Sequence, residues 1–169
     1  MNEWSSESSY GKVTIFLSHK HDDTEELDGA ITLLNRFGVS VYVDWQDDQM
    51  PISTSGETAK RIKDKIKDNK KFIFLATEGA TSSKWCNWEL GFGDSLKYQE
   101  HIAVFPIRNT YDRSYSGSEY LRIYPSIEYE DGTSKTVGGD YISEGWYVLN
   151  PPDENGRQTY KTLKNWLTS

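Results

Sequence analysis

The feature that most constrains this chain is a rhythm. Short apolar runs rich in β-branched and aromatic residues alternate with longer segments whose apolar residues recur at helical spacing. The runs are 12–19 (KVTIFLSH), 39–45 (VSVYVDW), 71–77 (KFIFLAT) and 101–107 (HIAVFPI). Each is short and nearly continuous in its apolar character, the mark of a strand covered on both faces. Within 23–38, Leu27, Ile31 and Leu34 recur at helical spacing and Gly38 closes the segment. Asp23 and Glu26 there have the spacing of a capping box. Ile62 and Ile66 mark one face of a helix over 57–69 whose other face carries lysines. Residues 82–94 (SSKWCNWELGFGD) begin the helix after the third run. Strand and helix alternating over short connections require right-handed crossovers and a mainly parallel sheet with helices on both faces. The expected architecture is therefore α/β, with strand order 2-1-3-4-5.

Beyond residue 108 the rhythm loosens. Segments 119–130 (EYLRIYPSIEYE) and 144–150 (EGWYVLN) read as strands or ordered aromatic loops, and 153–168 as a closing helix. No repeat or low-complexity linker divides the chain. The expected organisation is a flexible, Ser-rich tail over 1–10 and a single domain over 11–169. Its core spans 12–107, and its C-terminal part, 108–169, is aromatic-rich.

Composition narrows the function classes. The 169 residues carry a formal net charge of −7, which argues against a nucleic-acid polyanion as the main partner. The single cysteine, Cys86, excludes an intrachain disulfide and a four-cysteine zinc site. The first residues have neither a basic nor an apolar leader region. No apolar run approaches the roughly 18 residues that span a bilayer. A cytoplasmic protein without membrane association is expected.

Topology then places a site. Open parallel sheets bind ligands beyond the carboxyl ends of their strands, at the point where strand order reverses, here between the first and third strands. The loop after the first strand supplies Ser18, His19 and Lys20. The end of the second supplies Asp44 and Trp45. The segment after the third supplies Trp85 and Glu89. Trp85 and Glu89 are four apart and share a helix face. The helix dipole favours the charged form of Glu89, whereas burial beside an indole opposes it. Simpler roles exist for several of these residues: Ser18 as a turn cap, Asp44 as a backbone partner, Trp85 as a core-edge aromatic. Trp88 and Cys86 read as packing residues, and the lysines of 59–71 as a solvated face. GFGD (91–94) lacks the third glycine of a dinucleotide fingerprint and lies inside a helix, where small residues allow close packing. His19, His21, Asp22 and Asp23 lack a recognised metal-ligand spacing, so no metal is expected.

The segment SSKWCNWEL resembles the αC signature of TIR (Toll/interleukin-1 receptor) domains, with Ser83, Trp85, Cys86 and Glu89 at the defining positions. VTIFLSHKHDD is similar to the family's first strand and following loop. VSVYVDW and the polar stretch after it are similar to the second strand and BB loop, and ETAKRIKDKIKDNK to the next helix. KFIFLAT and HIAVFPI match the third and fourth strands, so the likeness covers 12–107 in order. The BB loop departs from the pattern: MPISTSG separates Pro51 from Gly56. The resemblance implies a flavodoxin-like fold. It also implies, by way of bacterial relatives, an enzyme that cleaves the nicotinamide–ribose bond of NAD to ADP-ribose or a cyclic or conjugated signal in antiphage or stress defence. It carries the catalytic role to Glu89 and ligand contact to Ser18, His19, Lys20, Asp44, Trp45 and Trp85. NAD is then a substrate, with no separate cofactor. It further implies self-association, or contact with other TIR domains, through the BB loop (DDQMPISTSG), and a separate effector protein that senses the product. Two alternatives stand beside it: a non-catalytic TIR interaction module, and an α/β enzyme of nucleoside-transferase type acting on another ribosyl substrate.

Overall fold

The computed structural model describes residues 12–44, 55–107 and 119–169. The expectations for the tail 1–10, for Trp45 and for most of the BB loop lie outside them. The elements run β1 (Thr14–Ser18), α1 (Thr24–Asn35), β2 (Ser40–Tyr42), α2 (Gly56–Asp68), β3 (Lys71–Ala76), α3 (Glu78–Ser82), α4 (Lys84–Leu96), β4 (Ile102–Pro106), β5 (Ser126–Glu130), β6 (Gly145–Leu149), β7 (Tyr160–Thr162) and α5 (Leu163–Thr168). Short 3-10 turns precede β4 and β5.

Seven strands form one sheet in the order β2-β1-β3-β4-β5-β6-β7. β1 pairs in parallel with both β2 and β3, and β3–β4 and β4–β5 are parallel as well. This is the flavodoxin-like 2-1-3-4-5 order, extended by β6 and β7, which add antiparallel. Every residue of β3 is buried, as a central parallel strand requires. Alternation along the strands divides the core. Ile15, Leu17, Ile73 and Leu75 face α1 and α5, packing with Leu27, Leu34, Leu163 and Trp166. Phe16, Phe72 and Phe74 face α2 and α4, packing with Ile62, Ile66, Cys86 and Leu90.

Three local expectations are corrected. Asp23 occupies the N-cap position of α1 without a side-chain capping bond; its carboxylate accepts from the Thr77 hydroxyl instead. Helix does not fill 153–168. Asp153 Oδ1 accepts from the backbone N–H groups of Asn155 and Arg157, and Gly156 takes φ +73°, which makes a turn. Residues 160–162 then pair with β6, leaving only Leu163–Thr168 helical. The second strand ends at Tyr42, short of the expected 39–45. Of the two glycines in GFGD, only Gly93 meets the packing expectation. A Cβ there would lie 3.1 Å from the Phe72 ring, whereas one at Gly91 would meet nothing within 4 Å.

Candidate active site

The carboxyl ends of β1 and β3, with the short segment that follows β2, meet the N-terminal half of α4. Helix α4 starts cleanly because the Ser83 hydroxyl accepts from the Cys86 N–H at 3.2 Å. One step earlier, Thr77 caps α3 by accepting from the Ala80 N–H at 3.0 Å. These two caps turn the chain twice within a few residues and bring α4 against the end of β1.

Glu89 is the centre of the group. It projects from α4 into the interior and is 2% exposed. The Ser18 hydroxyl at the end of β1 donates to Glu89 Oε2, and the Trp85 side chain, one helical turn earlier, also hydrogen-bonds the carboxylate. Burial is the main force on its ionisation, and the negative charge of Asp44 adds to it. The two hydrogen bonds pull the other way and lose, so the carboxyl is pushed up to about 8. The competition between burial and favourable contacts is thereby decided for burial.

His19 sits beside this group. Its Nδ1 lies 3.1 Å from the Leu17 carbonyl, which makes Nδ1 the protonated nitrogen in the neutral ring. Burial holds His19 below its ordinary range against the upward pull of Asp44. The opposite nitrogen, Nε2, is buried without a hydrogen-bond partner among the described residues, 3.8 Å from Asp44 Oδ1. His21 Nε2 approaches the other oxygen of Asp44 at 3.6 Å. Asp44 is itself buried.

The structure thus brings Ser18, His19, Asp44, Trp85 and Glu89 together. Lys20 lies across the first turn of α3, where a Cβ on Gly79 would fall 2.7 Å from its Cδ. Trp45 lies outside the described residues. Sequence reasoning missed the residues that hold the loop after β1 in place. The buried thiol of Cys86 donates to the His19 carbonyl at 3.3 Å and is pushed up to about 11 by burial, so it is a neutral donor. Thr77 ties the same loop through Asp23. Trp88 packs against the core, as expected, and it does so beside Trp85. Its ring stacks on Trp85 at 4.8 Å and 21°, and Phe92 continues the stack, with Lys63 Nζ 5.6 Å from the centre of the Trp88 ring. The i, i+3 and i+4 spacing of these aromatics was the available signal. A separate cavity of about 260 Å³, lined by Val104, Arg122 and Glu128 among others, shares no residue with the Glu89 group.

The arrangement has a buried carboxylate, an indole wall beside it and a carboxyl-end position in a parallel sheet. Residues 15–137 match the family model described as TIR domain. The chain belongs to the TIR domain family. Two individual proteins are similar as well. A protein of Bacillus cereus (strain MSX-D12), named the probable 3' cyclic ADP-D-ribose synthase ThsB', is 32% identical over 160 residues, covering 90% of this chain and 74% of that protein. A protein of Cytobacillus dafuensis, provisionally named the cyclic ADP-D-ribose synthase TIR2, is 27% identical over 85 residues, covering 48% of this chain and 22% of that protein. Among the described residues of this TIR chain, no helix is long and apolar enough to cross a membrane.

Proposed function

We propose that this TIR domain cleaves the nicotinamide–ribose bond of NAD and closes the remainder into a cyclic ADP-ribose. The observation that carries the reading is Glu89, a carboxylate buried at the carboxyl end of the sheet and addressed by Ser18 and Trp85. The names of the two relatives, both cyclic ADP-D-ribose synthases, support the same chemistry.

The residues suit the reaction's difficulty. When the C1'–N1 bond breaks, its electron pair stays on nicotinamide, which departs neutral and needs little acid help. The ribosyl carbon is left cation-like. A carboxylate fixed in a dry site stabilises that charge more strongly than one in water. A carboxyl that titrates near 8 is mostly protonated in the empty site at neutral pH. The cationic nicotinamide ring supplies the opposite charge that draws Glu89 into its ionised form as substrate enters. The Trp85 indole offers a flat wall for a heteroaromatic ring and keeps water out. Ser18 fixes the carboxylate, and Lys20 beside the start of α3 suits a diphosphate. Capture of the ribosyl carbon by a hydroxyl of the same molecule, which loses its proton, gives a cyclic product; capture by water gives linear ADP-ribose. We extend the proposal to assembly through residues 47–56, to action in antiphage or stress defence, and to a separate effector protein that senses the product.

The test is to incubate concentrated protein with NAD and with free nucleosides, and identify products by mass spectrometry. Nicotinamide together with a product one water lighter than ADP-ribose is expected. ADP-ribose alone would correct the product. Turnover of nucleosides without NAD would favour the nucleoside-transferase reading. Failure of concentrated protein to consume NAD would favour a non-catalytic interaction module.

A further inference from the structure

One group of side chains at this end of the sheet is not used by the proposed reaction. His19 Nε2, His21 Nε2 and the Asp44 carboxylate lie within 4.8 Å of one another. They come from two strand ends, the loop after β1 and the segment after β2, so no linear spacing in the sequence reveals them. The expectation of no metal concerned the neighbouring residues His19, His21, Asp22 and Asp23 and did not include Asp44.

Three observations point to a ligand rather than to an ordinary polar cluster. First, His19 is 5% exposed, yet its Nε2 is buried with no hydrogen-bond partner among the described residues. A buried polar atom left unpaired costs free energy comparable to a lost hydrogen bond. Second, the Nδ1 contact to the Leu17 carbonyl at 3.1 Å fixes the ring so that the Nε2 lone pair faces Asp44. Backbone support of this kind is the usual companion of a metal-bound histidine, because it fixes both tautomer and orientation. Third, the spacing is close to what an ion needs. Two ligands about 2.1 Å from a tetrahedral ion lie about 3.4 Å apart. The His19–Asp44 and His21–Asp44 pairs stand at 3.8 and 3.6 Å, to Oδ1 and Oδ2 respectively, and one ligand atom from each residue falls within 4.8 Å of the others. His21, with a side chain 66% exposed, is free to close its own side of the gap; the His19–Asp44 side closes only with a small shift of the Asp44 carboxylate.

We propose that His19, His21 and Asp44 form a binding site for a divalent late transition-metal ion of the zinc class, with solvent completing the coordination. Two imidazoles and one carboxylate suit such ions and not magnesium or calcium, which prefer oxygen ligands throughout. Asp44 acts electrostatically on Glu89, so the ion sits in the neighbourhood of the proposed active site. The site stands on its own geometry and does not depend on the reaction proposed above.

The experiment uses the full chain without any affinity tag, stripped with a chelator and titrated with Zn²⁺ by calorimetry. Co²⁺ absorption spectra provide a second readout of ligand type. About one equivalent is expected to bind, with Co²⁺ bands of nitrogen and oxygen ligation and no thiolate charge transfer. His21→Ala, at an exposed position that does not endanger the fold, is expected to weaken binding at least about tenfold. His101→Ala, which alters the chain's one remaining histidine, is expected to bind as wild type does. Absence of binding by wild type, binding unchanged in His21→Ala, or binding lost in His101→Ala would each overturn the proposal.

Discussion

The two ends of the sheet each bury an ionisable side chain, and the difference between them sets the proposed chemistry apart from architecture. At the amino end of β3, Lys71 is fully buried, yet its ammonium is well served. It lies 2.9 Å from His101 Nδ1, donates to the Ser169 hydroxyl at 3.2 Å and sits 4.7 Å from the centre of the Trp166 ring. Trp166 in turn donates to the Glu100 carbonyl at 2.7 Å. This end fastens α5 to the sheet. At the carboxyl end, Glu89 has partners, but beside it stand a histidine nitrogen with no partner among the described residues and a second buried carboxylate, Asp44. One end satisfies its buried charge with the chain's own groups. The other keeps a buried histidine nitrogen without a partner among the described residues beside two buried carboxylates, a pattern common where a ligand binds.

This contrast can be broken most decisively by substitution at each end. Glu89→Gln is expected to lower nicotinamide release by about 100-fold or more while leaving the fold intact. Lys71→Ala is expected to do the reverse, lowering stability by about 3 kcal/mol, or roughly 10 °C in Tm, with turnover per folded molecule unchanged. Thermal denaturation and a nicotinamide assay on the same samples check both. If Lys71→Ala abolished turnover in folded protein, the division between the two ends would fail.

The pH dependence of stability should carry opposite signs at the two ends. Glu89 titrates near 8 in the folded protein and near 4.5 when free, so between these values the folded state holds the extra proton. Its contribution to stability therefore falls as pH rises from 4.5 to 8. Lys71 is pushed down to about 8 from 10.5, chiefly by burial, so between 8 and 10.5 the unfolded chain holds the extra proton. Its contribution rises with pH across that window. Tm measured against pH should show wild type losing ground to Glu89→Gln below pH 8 and gaining on Lys71→Ala above it.

Smaller changes sharpen the carboxyl end. Trp85→Phe keeps a flat face and loses the hydrogen bond to Glu89. A rate loss of about tenfold is expected. The kinetic pKa should also move further up, because that bond lowers it. Gly79→Ala forces Lys20 aside and should raise the KM for NAD by roughly threefold without changing kcat. Steady-state kinetics on each variant separate these outcomes.

Much of this was legible in the sequence because it depended on local pattern. The four apolar runs became β1 to β4, since a strand covered on both faces has no alternative but a continuous apolar sequence. Trp85 and Glu89 were legible together because helical spacing alone puts them on one face. The C-terminal strands were harder to read. β7 is three exposed residues whose pairing with β6 depends on the Asp153 turn, and helical periodicity across 153–168 hid that turn. The links from Cys86 to His19 and from Thr77 to Asp23 join residues 67 and 54 positions apart, and no local signal marks them. The meeting of His19, His21 and Asp44 is of the same kind. It becomes visible only once β1 and β2 lie side by side.

The most direct measurement of the central claim is kcat/KM for nicotinamide release from pH 6 to 9, on wild type and Glu89→Gln together. That ratio reports ionisation in the free enzyme. A wild-type rate that climbs through an apparent pKa near 8 is expected, with a Glu89→Gln rate that is low and flat. A wild-type profile that is flat across this range, or a Glu89→Gln enzyme as active as wild type, would contradict it.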